Sequence, residues 1–308
     1  MQPVNKARLQ IHFCVVLWGF TAILGKLITL PATALVWWRM LLVAGALLLM
    51  PRVRRGLRAM PMKRRLAYAG IGVLVSVHWL TFYAAIKLAN ASVGATCIAL
   101  GPAFLALLEP WIGGRRFDPR ELLIAVAVVP GVAMVAGGVP GQMRIGIAVG
   151  VLSALFVALF GSFNKRMVEH GDPLTVTCIE LGTGALFLAL LAPVLPHAGP
   201  AFPLPDLHDA VLLLVLAFGC TLLPFTLVLV ALRHVSAFAM QMITNLEPVY
   251  SIVLAVLLLG EQRQLDGWFY AGVAVILAAV FAHPLLHRKD QAPVPAELLG
   301  TAESHNLD

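Results

Sequence analysis

The sequence predicts an all-α integral membrane protein of ten transmembrane helices, arranged as two inverted five-helix repeats, and three observations carry that reading. The chain is 60% hydrophobic and only 12% charged over 308 residues, with a mean hydropathy of +0.90, whereas a soluble domain carries about 25% charged residues. Apolar runs able to cross a bilayer core recur near residues 9–28, 32–50, 66–87, 91–113, 121–138, 145–164, 173–194, 209–232, 235–260 and 265–284. A proline-broken motif appears in the fourth run and again in the ninth, five runs later. An odd number of spans per repeat places the second copy upside down in the membrane.

The first run follows Lys6 and Arg8 and continues through Trp18, Gly19 and Phe20 to Lys26 without a small-x-small cleavage site, so it reads as a span rather than a cleaved signal peptide. Arg39 lies early in the second run, placed to snorkel outward or to pair with Glu180, which holds the corresponding place in the seventh. The basic stretch from Arg52 to Arg65 reads as a loop that orients the protein and meets anionic lipid. The third run carries His78 and Trp79, with Thr81, Phe82 and Tyr83 close by.

In the fourth run Ala91-Ser92 is followed by Leu100-Gly101-Pro102 and closes with Gly113-Gly114-Arg115. In the ninth, Val235-Ser236 is followed by Leu246-Glu247-Pro248 and closes with Leu259-Gly260-Glu261. This register needs a two-residue shift between serine and proline. A rival pairs Leu108-Glu109-Pro110 with Leu246-Glu247-Pro248 but loses the closing glycine, so the first is preferred; Glu109 then reads as interfacial. Pro102 and Pro248 are the expected kinks, since each lacks an N–H and cannot continue the helical ladder. The repeats divide the chain into residues 1–140 and 141–287, and the Pro293 and Pro295 tail, residues 288–308, reads as a disordered cytoplasmic segment.

Seventeen Lys and Arg fall in the loops on one side and four on the other, which places both termini in the cytoplasm and the protein in the inner membrane. The net charge of +7 is scattered among these short loops and offers no nucleic-acid face. The four cysteines lie inside apolar runs without paired spacing, so neither a metal site nor a cofactor is expected.

The richest chemistry lies between Thr244 and Glu261. A charged side chain at the centre of a membrane helix costs roughly 2.5–3.5 kcal/mol, so Glu247 is expected to face a watery interior. Gln241, Thr244, Asn245, Glu247, Pro248 and Ser251 share one helical face. Trp18, His78, Trp79, Tyr83, Gln241, Asn245 and Glu247 are the candidate substrate-cavity residues. Glu247 and His78 are also the coupling candidates: a carboxylate can hold an ammonium or take up a proton, and histidine ordinarily titrates near neutrality. Each also has an ordinary structural reading, as support for a kink, a bond to a neighbouring helix, or packing.

Trp18-Gly19 with Lys26, Arg39, Ala91-Ser92, and Asn245-Leu246-Glu247-Pro248 through Leu258-Leu259-Gly260-Glu261 together resemble the EamA family of the drug/metabolite transporter superfamily, over residues 9–284. The resemblance implies two inverted halves around a cavity lined by spans one, three, four, six, eight and nine. It also implies export of small metabolites, amino acids among them, by alternating access. Arg115 stands where Glu261 has its match, which confines any closing role of that acid to the second half. The expected function is therefore secondary transport, with a small-molecule substrate, the lipid bilayer and protons as partners and the oligomeric state open. The alternative, a membrane enzyme acting on lipid or isoprenoid substrates, would need clustered catalytic groups, and the sequence has no His-Glu-x-x-His and no paired-Asp motif.

Overall fold

A computed structural model describes residues 3–114, 119–195, 199–244 and 246–287. Among them the chain is a bundle of α-helices: α1 Pro3–Leu27, α2 Ala32–Leu49, α3 Pro51–Ala59, α4 Met62–Leu88, α5 Ala91–Ile98, α6 Gly101–Gly113, α7 Pro119–Gly137, α8 Arg144–Met167, α9 Pro173–Leu191, α10 Leu207–Leu214, α11 Leu223–Ala231, α12 Ala237–Thr244, α13 Glu247–Leu259 and α14 Gly267–His287. Among the described residues eight helical stretches are long and apolar enough to cross a membrane, α5–α6, α10–α11 and α12–α13 each counting as one. Residues 126–137 and 267–279 form shorter apolar helices.

The two broken spans are built alike. α5 and α12 each run for 8 residues, and α6 and α13 each run for 13. At each break the ladder tightens to three-residue spacing: Leu100 N donates to Cys97 O at 3.1 Å, and Leu246 N donates to Ile243 O at 3.1 Å. Pro102 and Pro248 each sit in the first turn of the second piece, where a missing N–H costs nothing. The closing glycines, Gly114 and Gly260, adopt φ of 68° and 65°, a left-handed cap that favours glycine.

This equivalence resolves the register. Pro110 lies inside the continuous helix α6, so the rival pairing fails. The two-residue shift also disappears, because the residue matching Ser236 is Asn90, not Ser92. Both are N-caps: Asn90 Oδ1 accepts from Val93 N at 2.9 Å, and Ser236 Oγ accepts from Ala239 N at 3.0 Å. Asn and Ser serve the same capping chemistry, which a letter-by-letter comparison misses.

One further expectation changes. The start of the basic stretch is a helix, α3, begun by Pro51 and anchored by the buried Val53 with Leu57 partly buried on the same face, while its arginines stay exposed. Glu109, read as interfacial, is buried within the bundle at 5% exposure near the end of α6. The tail at 288–308, with its expected disorder, lies outside the described residues.

In the packing, α4 lies against α8 and α9, α1 against α11 and α13, and α7 pairs with α14 at the side of the bundle. α1 approaches α13 closely at Gly19, where a Cβ would stand 2.8 Å from that of Tyr250, and Ser251 Oγ donates to the Gly19 carbonyl at 3.2 Å. The Trp18-Gly19 pair thus sets one side chain beside the cavity and leaves room for a neighbouring helix at the next position.

Candidate functional site

α1, α2, α4, α5, α8, α11, α12 and α13 surround a central cavity. Its aromatic walls include Trp18, Trp79, Phe82, Phe160 and Phe225. Its polar lining includes Thr21, Arg39, His78, Asn164, Thr221, Gln241, Thr244 and Glu247.

Of the seven residues singled out from sequence, the cavity brings together Trp18, His78, Trp79, Gln241 and Glu247. Tyr83 is not in its wall: the side chain is fully buried, and its hydroxyl accepts from Arg39 Nη1 at 2.7 Å. One residue beyond Phe82 on α4, it faces away from the space and holds the arginine from behind. Asn245 lies outside the described residues.

Glu247 opens α13, directly after the break, with 7% exposure. The N-terminus of a helix carries partial positive charge and unpaired N–H groups, a favourable place for a carboxylate. Glu247 therefore sits in a first turn, where the dipole supports an acid, and it presents that acid to the cavity. Gln241 lies on the preceding piece against Gly101 of the matching break, where an added Cβ would stand 2.6 Å from Gln241 Nε2. Gln241 Nε2 and Thr21 Oγ1, both buried in the cavity lining, have no hydrogen-bond partner among the described residues. Buried unpaired groups of this kind are uncommon and are available to a solute.

His78 is fixed by α8. Its Nδ1 lies 2.9 Å from the Ser153 carbonyl and 2.9 Å from Ser153 Oγ, whose hydroxyl also reaches the His78 carbonyl at 2.9 Å. A carbonyl only accepts, so Nδ1 carries the hydrogen and Nε2 remains the acceptor. The ring packs between Phe82 and Phe160 at centroid distances of 6.2 and 5.3 Å.

Arg39 is the main addition that the structure makes. It neither snorkels nor pairs with Glu180, whose bonded partner is Asn164. Its Nε donates to Thr221 Oγ1 at 2.5 Å, and its Nη2 reaches the Cys220 carbonyl at 3.4 Å. The guanidinium lies 3.9 Å from the centroid of the Trp79 ring, a cation–π contact. These acceptors come from a π-helical segment, Val215–Leu222, that interrupts the span between α10 and α11. Thr221 Oγ1 in turn donates to the Leu216 carbonyl at 2.6 Å. π-helical turns re-aim backbone and side chains and recur at functional sites. Pro224, which lacks an N–H four residues after Cys220, is the sequence signal that something interrupts this helix.

At the bundle end that holds the α4–α5 turn, Glu261 closes the two halves onto each other. Its Oε1 accepts from Ala91 N at 2.9 Å, and its Oε2 from Ser92 N at 3.0 Å and Ser92 Oγ at 2.7 Å. The closing acid of the second repeat thus caps the broken helix of the first. Asp209 makes a similar link, accepting from Thr29 N at 2.9 Å and Thr29 Oγ1 at 2.8 Å. Arg115, the counterpart of Glu261, lies outside the described residues.

Comparison with known proteins gives a consistent picture. The EamA-like transporter family matches this chain twice, over residues 6–137 and 144–283. A chloroplastic phosphoenolpyruvate/phosphate translocator 2 of Arabidopsis thaliana is 29% identical over 174 residues, 56% of this chain but 44% of that protein, so the match spans under half of that relative. A protein of Salmonella typhimurium named a probable amino-acid metabolite efflux pump is 25% identical over 281 residues, covering 87% of this chain and 91% of the relative. One solved crystal structure superposes with a TM-score of 0.65 at 18% identity, covering 92% of this chain and 99% of that one, a likeness of fold.

Proposed function

We propose, from the premise that this chain belongs to the EamA-like transporter family, that it carries small zwitterionic metabolites, amino acids among them, out of the cell. The chain is an integral membrane protein and a transporter by family. The finer reading is ten spans in two inverted five-helix halves, residues 1–140 and 141–287, with both termini cytoplasmic and the cavity opening alternately to either side. The repeated break at α5–α6 and α12–α13 supports the inversion, because equivalent elements separated by an odd number of spans run in opposite directions across the membrane.

The observation that carries the substrate class is the charge pattern of the cavity. Its lining holds one fixed cation, Arg39, and one acid, Glu247, together with the aromatic side chains of Trp18, Trp79, Phe82, Phe160 and Phe225. An α-amino acid offers a carboxylate to the first, an ammonium to the second, and an apolar side chain to Trp18, Trp79 and Phe160. The guanidinium is held in place by Thr221 and Tyr83 and spends no entropy in meeting a carboxylate. A phosphate ester carries two negative charges and would be expected to meet more than one arginine or lysine; among the described residues Arg39 is the only such residue in the lining, and Glu247 opposes a dianion.

Counterflow in proteoliposomes tests this. Labelled amino acids are expected to exchange saturably, with loss of exchange in Glu247→Gln and impairment in His78→Ala. Competition by the parent amino acid, and none by its N-acetyl or methyl-ester derivative, is expected of a site that reads both charges. Equal competition by either blocked derivative would sink the zwitterion reading, and exchange confined to phosphate esters would replace it.

A further inference from the structure

The bundle holds a second acid that the cavity does not use. Glu180, in the middle of α9, is fully buried. Its Oε2 accepts from Asn164 Nδ2 of α8 at 3.4 Å. Its Oε1 has no hydrogen-bond partner among the described residues, and neither has Asn164 Oδ1. Two buried acceptors therefore belong to two groups that already touch. One turn earlier on α9, the Thr177 hydroxyl is also buried without a partner. Asn164 lines the central cavity and, with Tyr68, Gly171 and Val176, a separate small crevice. Asn164 thus stands in the wall between these two spaces, and Glu180 lies against it from α9.

Among the described residues no cation is bonded to the acid. On α4, the Tyr68 hydroxyl donates to the Met167 carbonyl at 2.8 Å. On α2, Arg39 is bound to Thr221 and Tyr83, and on α3, Arg52 pairs with Asp172 at 2.5 Å. Lys165 of α8 donates to the Leu232 carbonyl at 2.6 Å, and Arg233, beyond α11, donates to Gly171 O at 2.9 Å. On α9 itself, Cys178 Sγ meets the Ala44 carbonyl at 3.8 Å.

An isolated buried carboxylate costs several kcal/mol, which a carboxylic acid avoids. A protonated Glu180 can donate to Asn164 Oδ1 while accepting from Asn164 Nδ2. This two-bond carboxyl–amide pair satisfies both orphan oxygens at once, and the ionised form satisfies neither. We propose that Glu180 and Asn164 form a proton-binding site in the cavity wall, which couples proton movement to the solute. Building on the carrier reading, a solute that draws Asn164 into the cavity breaks the pair. Glu180 then gives its proton to water in the crevice and becomes a carboxylate, and the cycle closes when it takes up a proton again and re-forms the pair.

The test uses the full chain in proteoliposomes with an entrapped pH-indicator dye, and an amino acid that the wild type exchanges. Downhill flow of the amino acid is expected to move protons in the wild type. Glu180→Gln is expected to keep counterflow and lose the proton movement, and Asn164→Ala to weaken it. Proton movement that persists in Glu180→Gln overturns the site. So does wild-type counterflow that moves no proton, or that answers to a sodium gradient alone. If the wild type shows no counterflow, the carrier reading fails, and infrared spectra of the purified protein decide the site separately. There a protonated-carboxyl band is expected that shifts in Asn164→Ala and persists in Glu247→Gln; its absence from the wild type overturns the proposal.

Discussion

The two broken spans share a backbone and differ in chemistry. α5–α6 and α12–α13 have equal lengths, equivalent caps, prolines in the same turn and left-handed glycines at the same end. At the first position after the break one has Gly101 and the other Glu247. The glycine admits Gln241 from the opposite half, while the acid reaches into the cavity. The comparison teaches that the backbone break is a frame common to both halves, and that function is written on it asymmetrically. One half supplies a charge and the other supplies space.

The comparison breaks most visibly at its charged position. Glu247→Gln is expected to weaken binding of an ammonium-bearing solute by about 10- to 100-fold, the worth of a hydrogen bond to a charged group, read from the concentration dependence of counterflow. A variant with unchanged apparent affinity would remove Glu247 from the site.

The spacious position comes next. Gly101→Ala places a methyl against Gln241 and is expected to cost about 1–3 kcal/mol of stability, as overpacking does. Thermal unfolding in detergent measures the loss, and adding Gln241→Ala is expected to recover part of it. Failure of the second change to help would show that Gln241 is not what Gly101 accommodates.

Glu261→Gln probes how the halves meet. Its carboxylate accepts two backbone N–H groups and one hydroxyl at the start of α5, and an amide accepts with half of that capacity. A loss of roughly 1–2 kcal/mol is expected, visible as a lower unfolding temperature. Removing the caps sharpens the comparison most finely. Asn90→Ala and Ser236→Ala should each cost about 1 kcal/mol, and a clear difference between them would mean the two breaks are not energetically equivalent.

Much of the site was legible in the sequence because charge and proline are conspicuous in an apolar run. Glu247 stood out for that reason, and His78, Gln241, Trp18 and Trp79 as polar or aromatic neighbours; all five line the cavity. Arg39 was just as conspicuous, but its role was not, since two of its acceptors, Thr221 and the Cys220 carbonyl, lie more than 180 positions away. Asn164 sits beside Lys165 and Arg166 and looked like the end of a span, so its contact with Glu180 was hidden. Tyr83 shows the reverse error: proximity along α4 suggested a cavity residue, but the helix turns it toward Arg39.

By itself the sequence determined that this chain lives in a membrane, where eight of its apolar helices lie among the described residues and where two of them break. Those properties follow from local hydropathy and from proline's missing N–H, and no distant residue can alter them. Which polar side chains share a space was decided only by the tertiary structure. Helix rotation and the close approach of α1 to α13, α4 to α8 and α2 to the π-helical segment depend on packing between residues far apart in the chain, and that information has no local signature.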